Sequence, residues 1–151
     1  MSFGPMTGPV PTIVRDEIEM QLIVSGDKSV EINSTFDYSA SEPYSIRASF
    51  KTADGAVDWV FSRDIISQAL LEPAGDGDVS AWVEGEGAES VFCLQLTSPS
   101  GQALMETKTD LVREFLNRTF TIVPAGSESQ MLNLDFLIER LLDEEGPANI
   151  A

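Results

Sequence analysis

The sequence has no histidine and only one cysteine among its 151 residues. Histidine is the commonest general base and the commonest neutral metal ligand in proteins, so its absence argues against most hydrolase and zinc-site chemistry. The single thiol, Cys93, lies in an apolar run with no disulfide partner and no base to activate it, which predicts a buried structural residue. We therefore predict no catalytic, cofactor-binding or metal-binding residues.

Basic residues are also scarce. Nine Lys and Arg stand against 25 Asp and Glu, which gives a net charge of −16. Because nucleic acids and anionic membrane surfaces are held mainly by Lys and Arg, this balance disfavours both as partners. The same charge favours solubility and would attract a basic patch on another protein.

Long apolar runs and targeting signals are missing from the sequence as well. No run approaches the ~20 residues that span a bilayer, and the first residues do not resemble a secretory signal, so we expect a cytoplasmic protein. The carboxylate pairs Asp76/Asp78 and Glu84/Glu86 contain ligands for a hard cation. The first pair lacks a twelve-residue calcium loop, and we interpret both pairs as turn and loop residues.

The clearest local pattern runs from Tyr44 to Pro73. A strand with the period of two residues is predicted first, and its apolar face carries Tyr44, Ile46, Ala48 and Phe50. Asp54-Gly55 then predicts a hairpin turn, after which a second strand places one face on Val57, Trp59 and Phe61. A helix capped by Ser62 follows, with an apolar stripe that continues towards Pro73.

The same strand and turn patterns occur on both sides of this segment. A hairpin is predicted from Glu17 to Phe36, and further strands are predicted at Val79 to Glu84, Val91 to Thr97 and Gln102 to Thr107. Glycines at 75 and 77 predict a turn before these strands. Two helices end the pattern: one is capped by Thr109 or Asp110 and carries the stripe Leu111, Val112, Phe115 and Leu116.

The last predicted helix begins at Asn133 and has the most regular spacing. Its apolar residues recur at the interval of a buried face: Leu134, Leu137, Ile138, Leu141 and Leu142. We interpret the helix stripes as core or subunit contacts. The residues Trp59, Trp82, Phe92 and the two tyrosines are candidates for a base-stacking platform, but such a platform needs flanking Lys and Arg, so packing is favoured.

The length and composition predict one domain. We expect a flexible tail at residues 1–14, which is rich in proline and glycine, a single domain at residues 15–143, and a frayed tail at residues 144–151 after Gly146-Pro147.

Several short motifs together resemble a known family. They are Glu42-Pro43-Tyr44, the run Val57-Asp58-Trp59-Val60-Phe61-Ser62-Arg63-Asp64, the turn Gly75-Asp76-Gly77-Asp78-Val79, the segment Leu96 to Gly101, Phe115-Leu116-Asn117-Arg118-Thr119, and Val123-Pro124. In this order the motifs are similar to those of the SsgA-like sporulation and cell-division proteins of filamentous actinomycetes, with a likeness to the SsgB branch.

The resemblance implies both a fold and a function. The implied fold is α+β and whirly-like: two antiparallel four-stranded β-sheets packed with helices, a repeated ββββα order, C-terminal helices and assembly as a trimer. The implied role is non-enzymatic, in which the protein helps to recruit and position the division protein FtsZ, or its membrane tethers, at septum sites during sporulation. The sequence assigns no partner-binding residues. Because whirly-like relatives bind single-stranded nucleic acid, that function is the alternative.

The net charge of −16 generates a first testable prediction. Single-stranded DNA and RNA should bind negligibly near physiological salt, because a polyanion gains no counterion release from so acidic a chain. Fluorescence anisotropy with labelled oligonucleotides measures this directly. Tight binding at that salt concentration would contradict the charge argument and favour the alternative function.

Overall fold

The computed structural model describes residues 12–130, 137 and 140–142. The chain runs twice through four strands followed by a helix, in the predicted ββββα order. The first unit consists of β1 Ile13–Ser25, β2 Lys28–Ser39, β3 Ser45–Thr52, β4 Gly55–Ser62 and helix α1 Arg63–Ala69. The second consists of β5 Ala74–Asp76, β6 Val79–Glu84, a 3-10 helix at Gly87–Glu89, β7 Val91–Ser98, β8 Gly101–Lys108 and helix α2 Thr109–Ile122. The predicted α+β class is confirmed.

The eight strands form one curled antiparallel sheet in the order β4-β3-β2-β1-β8-β7-β6-β5. The two expected sheets are present as two four-stranded halves, which β1 and β8 join through the residue pairs Gln21–Glu106 and Leu22–Met105. The description as two separate sheets is therefore not confirmed. Local alternation predicts every strand except β5, whereas this joint depends on pairing between segments that lie far apart in the sequence.

The hairpin of β3 and β4 has the predicted turn and antiparallel pairing. Thr52 pairs with Gly55 across the turn, and the apolar positions face one another as Ile46–Phe61, Ala48–Trp59 and Phe50–Val57. We call the side that carries these residues the inner face of the sheet. Tyr44, which was expected on the same face, precedes β3 and is exposed.

The core lies between the inner face and the two helices. Phe36 of β2 is fully buried, with its ring 6.5 Å from that of Phe61 and 5.7 Å from that of Phe115 in an edge-on arrangement. Phe115 belongs to α2, so these three rings connect the helix to strands of the first half. Such aromatic contacts add to the free energy gained by burying apolar area.

The first two predicted helices are present, and α1 begins as expected whereas α2 does not. The hydroxyl oxygen of Ser62 accepts a hydrogen bond from the backbone N–H of Ile65, which confirms the cap of α1. Helix α2 is preceded by Lys108, whose side chain is a donor only and makes no capping hydrogen bond. The backbone N–H of Thr109 donates instead to the carbonyl oxygen of Ser90. Leu111 does not share the buried stripe, which consists of Thr109, Val112, Phe115, Leu116 and Thr119.

The strands differ from the prediction at the start of β1 and in the segment before β6. β1 begins at Ile13, four residues before the predicted start at Glu17. The segment that was predicted as a turn between residues 75 and 78 contains the short strand β5, because the turn is confined to Gly77 (φ 62°) and its neighbour. Gly75 lies so close to β6 that an added Cβ would be 2.8 Å from the carbonyl oxygen of Val79.

The chain after α2 is helical again at residues 128–130, 137 and 140–142. The helical turn that begins at residue 128 lies upstream of the predicted helix start at Asn133. Asn133 is outside the described residues. Both predicted tails are also outside them, apart from residues 12–14. Leu137, Leu141 and Leu142 are exposed. Of the two interpretations of this stripe, core or subunit contact, burial in the core of the same chain is therefore wrong for these three leucines.

The ring cluster around Phe36 generates a stability prediction. Phe36→Ala removes a fully buried ring that contacts both a strand and a helix, and we expect it to lower the free energy of unfolding by about 3–5 kcal/mol. Urea denaturation followed by circular dichroism measures the change. The matched control is Tyr44→Ala, which removes an exposed ring and should cost far less; equal losses for the two variants would contradict this description of the core.

Candidate functional site

An open cleft separates the two halves of the sheet where neither helix covers the inner face. Helix α2 packs on β1, β7 and β8, and α1 packs on β4, β5 and β6. The cleft has a volume of about 350 Å³, and neither helix contributes to its lining. Its apolar walls come from both halves: Leu22, Ile32, Phe50, Val57, Trp59, Leu96, Ala103 and Met105.

No charged residue lines the cleft within the part of the chain that the structure describes. The remaining contributors are small or neutral: Thr52, Ser98, Ser100, Gly101 and Gln102. Phe50 and Met105 are buried and form the floor, whereas Val57 is 46% exposed and stands at the lip. In a chain with a net charge of −16, an uncharged concave surface of this kind suits an apolar occupant.

The aromatic residues do not form a single stacking platform. Trp59 faces the cleft, whereas Trp82 pairs with Cys93 on the opposite face of the sheet and its ring N–H donates to Glu84. Phe92 is fully buried. Arg47 and Lys51 alternate with the inner residues of β3, so they lie on the face opposite Trp59. Because stacking and phosphate contacts would require both faces, this arrangement does not favour nucleic-acid binding.

A fully buried arginine connects the two helices. Nη2 of Arg63 donates to a carboxylate oxygen of Glu128 at 2.7 Å, and Nη1 donates to the backbone carbonyl oxygen of Thr119 at 3.2 Å. The guanidinium carbon lies 4.8 Å from the ring centroid of Tyr38 and 4.2 Å from that of Phe120. The cluster therefore fastens the segment after α2 to the start of α1.

The electrostatics of this cluster follow from burial and pairing. The hydrogen bond from Arg63 lowers the pKa of Glu128 below its ordinary value, against the opposing effect of desolvation. The backbone N–H of Gly126 also donates to this carboxylate, at 2.9 Å. Burial raises the pKa of Tyr38 to about 12, so its hydroxyl stays protonated and donates to the carbonyl oxygen of Pro43.

The sequence pattern does not predict this cluster, although it contains one signal of it. Arg63 occupies the first turn of α1, where a cation is unfavourable beside the positive end of the helix dipole. It also shares the buried side of the helix with Ile66 and Ala69, at a spacing of three residues. A cation at such a position indicates a buried counter-ion, but Glu128 lies 65 residues away in the sequence.

Cys93 and the acidic residues are the other candidates that the sequence offered for reactivity or metal binding. Cys93 is buried, as predicted, and burial together with nearby Glu84 and Glu106 raises its pKa to about 12. A thiol with that pKa stays protonated at neutral pH and is a poor nucleophile. Within residues 12–130, 137 and 140–142, no three Cys, Asp or Glu residues converge in a way that suits a metal ion.

Comparison with known proteins agrees with the motifs. The family described as Streptomyces sporulation and cell division protein, SsgA, matches residues 32–128. The chain belongs to the SsgA family. Among similar members, the sporulation-specific cell division protein SsgB of Frankia casuarinae is 41% identical over 120 residues, covering 79% of this chain and 84% of that protein. SsgB of Streptomyces coelicolor is 36% identical over 134 residues, covering 88% and 98%.

Solved structures of SsgA-family proteins share the fold. A structure described in connection with SsgB mutations and longitudinal cell division during sporulation of Streptomyces coelicolor has a TM-score of 0.75 at 36% identity, covering 80% of this chain and 95% of that one. The crystal structure of an SsgA-like protein from Thermobifida fusca has a TM-score of 0.79 at 36% identity, covering 85% and 95%. In the described part of this family member, no helix is long and apolar enough to cross a membrane.

The buried ion pair generates a pH-dependent prediction. Glu128→Gln preserves the shape of the side chain but leaves the guanidinium of Arg63 without its counter-ion, and we expect a loss of about 3–5 kcal/mol in unfolding free energy near neutral pH. The folded-state pKa of Glu128 lies below its ordinary 4.5. The stabilisation is therefore complete above the unfolded pKa and disappears as pH falls through the folded pKa.

Urea denaturation at several pH values tests this expectation. The difference between wild type and Glu128→Gln should shrink as pH is lowered from ~6 to ~3. Glu72→Gln is the matched control, since Glu72 is exposed. A difference that does not change with pH would show that the carboxylate charge does not stabilise the cluster.

Proposed function

We propose that this member of the SsgA family is a non-enzymatic division protein that helps to recruit and position FtsZ at septum sites during sporulation, acting as a cytoplasmic homotrimer at the septum. Support comes from the motifs and from relatives that are named sporulation-specific cell division proteins. The role rests on binding rather than turnover, since the chain has no histidine and its one thiol is buried and protonated.

The distribution of charge supports a contact made through apolar surface. The chain has a net charge of −16, and FtsZ is itself expected to be acidic, so long-range attraction does not bring the two together. The described surface nevertheless exposes apolar side chains, including Ile13, Tyr44, Val60 and Leu71. Apolar and shape-complementary contacts then supply the affinity, while like charges reduce the association rate.

An oligomer would strengthen such a contact. Binding of one apolar patch to a monomer of FtsZ is expected to be weak, but an FtsZ polymer presents the same site repeatedly. A trimer that engages several of these sites gains avidity without any new contact. The trimer therefore contributes directly to the proposed recruitment.

The response of FtsZ binding to salt tests the apolar mechanism. Co-sedimentation with FtsZ polymers should stay nearly constant, or increase slightly, between roughly 50 mM and 500 mM KCl, because salt screens the repulsion between two acidic bodies. Polymer mass must be measured at each salt concentration as the control. Binding that is lost at modest salt would contradict the apolar mechanism but would not contradict the recruitment of FtsZ.

The division phenotype tests the function itself. A deletion strain should fail to build regular FtsZ ladders and sporulation septa, as seen by fluorescence microscopy of labelled FtsZ. Reintroducing the wild-type chain should restore them. A deletion strain that still forms regular ladders would overturn the proposed function.

A further inference from the structure

We propose that β4 binds an extended segment of a different protein, which pairs with it as an additional antiparallel strand of the sheet. The segment that suits this strand has a basic residue between two apolar ones. The inference goes beyond the proposed function, because it assigns a backbone surface to a partner of stated chemistry and requires no contact with FtsZ.

Strand β4 ends the sheet, and among the described strands only β3 pairs with it. Residues that exchange backbone hydrogen bonds alternate with residues that do not along an antiparallel pair. Just beyond the paired residues of this hairpin, the backbone N–H of Arg63 donates to the carbonyl oxygen of Tyr44 at 2.8 Å. That bond fixes the alternation, so the residues of β4 with odd numbers bond to β3.

The residues of β4 with even numbers leave their backbone groups free. The N–H and C=O groups of Ala56, Asp58 and Val60 point away from β3, and we call these three residues the β4 edge. All three are exposed, Val60 by 53%. A row of free donors and acceptors on an exposed strand can pair with one more strand.

The β4 edge lacks the features that usually protect such a strand from pairing. The strand is eight residues long, contains no lysine or proline, and pairs with β3 in a continuous register without a bulge. The opposite edge of the sheet differs, since β5 has only three residues and α1 packs on it. The chain therefore protects one edge of its sheet and leaves the other available.

An added strand would continue both faces of β4. Val57 and Trp59 lie on the inner face and line the cleft, and Val57 is 46% exposed at its lip. Partner residues opposite these two would lie on the same face, because side chains alternate in the same way along paired strands. Two apolar partner residues at alternate positions would therefore cover the lip of the cleft and gain free energy from apolar burial.

Acidic residues mark the centre and both ends of the same strand. Asp54 precedes β4, Asp58 lies at its centre on the outer face, and Asp64 follows it, all of them exposed. Arg47 and Lys51 lie one strand further in, diagonal to Asp58, and offset part of its charge. Both ends stay acidic, and the net charge of −16 attracts a basic segment. The partner residue opposite Asp58 is therefore basic.

The same charges argue against a second copy of this chain as the occupant. Two β4 strands could pair antiparallel through their free backbone groups. In the two registers that overlap these strands most, either the two Asp58 side chains face each other or Asp54 of one copy faces Asp64 of the other. Like charges directly opposite are destabilising, so the charges favour a basic segment of a different protein.

A synthetic peptide with this pattern provides the first test. In Lys-Thr-Val-Lys-Val-Thr-Lys the valines would lie on the inner face and the central lysine opposite Asp58. Fluorescence anisotropy of the labelled peptide with the full chain should show saturable binding. The control peptide Val-Val-Lys-Lys-Thr-Thr-Lys has the same composition and charge and should bind at least ~10-fold more weakly. Absence of binding, or equal affinity for the two peptides, would overturn the proposal.

A proline in the β4 edge gives a matched pair of protein variants. Val60→Pro removes an N–H that points away from β3, so the hydrogen bonds of the sheet remain. The dissociation constant for the peptide should rise at least ~10-fold. Val60→Ala keeps the N–H and should bind like the wild type, and circular dichroism establishes that both variants are folded. Unchanged binding by a folded Val60→Pro would contradict the strand pairing.

Methylation of the peptide gives a test that does not depend on how a variant folds. A methyl group on the backbone nitrogen of the central lysine removes a donor that faces β4 in the antiparallel arrangement. A methyl group on the backbone nitrogen of the next valine lies on the other side of the added strand. The first peptide should bind at least ~10-fold more weakly than the second, and equal affinities would overturn the proposal.

Amide hydrogen exchange locates the contact on the chain. In the free protein the amides of Ala56, Asp58 and Val60 should exchange fast, whereas those of Val57 and Trp59, which bond to β3, should exchange slowly. Saturation with the peptide should slow the first three. If these three amides are already protected in the free protein, another copy covers the edge and the proposal is wrong. It is equally wrong if they stay unprotected at saturation.

Discussion

The short joint between β1 and β8 determines the shape of the molecule. Only Gln21–Glu106 and Leu22–Met105 pair across it, so the two halves of the sheet diverge on either side of one narrow connection. Because the halves diverge, their apolar inner faces do not pack against each other. Helix α2 covers these faces at one end, where it contacts β1, β7 and β8. At the other end neither helix is present, and the inner face remains open as the cleft.

Features of the fold that depend on short-range periodicity could be predicted from the sequence. The β3–β4 hairpin is an example, since alternation and an Asp-Gly turn act within about twenty residues, and its observed pairs join the two apolar faces that were predicted. The β1–β8 joint and the Arg63–Glu128 pair could not be predicted in this way, because each depends on which distant segment supplies a partner. Strand β5 was missed for a different reason: it is only three residues long and pairs with the adjacent β6, so the glycines of this segment indicated the turn alone.

In the candidate site, too, the local features could be predicted from the sequence and the tertiary ones could not. Val57 and Trp59 were predicted on the inner face, and they lie there. That they line an open cleft depends on where the helices end, which is a tertiary property. The leucine spacing after Asn133 predicted an apolar helix stripe, but spacing does not say what covers the stripe. Leu137, Leu141 and Leu142 are exposed, so a pattern that usually marks a core contact does not mark one here.

The acidic composition and the uncharged cleft act together on association. With a net charge of −16, two copies repel one another in most orientations, and this repulsion suppresses contacts between their charged faces. The described residues that line the cleft carry no charge, so an apolar surface that contacts the cleft would escape most of this penalty and gain apolar burial. The charge therefore confers specificity by making the apolar surfaces the favourable place to meet, and the geometry of the sheet decides where those surfaces lie.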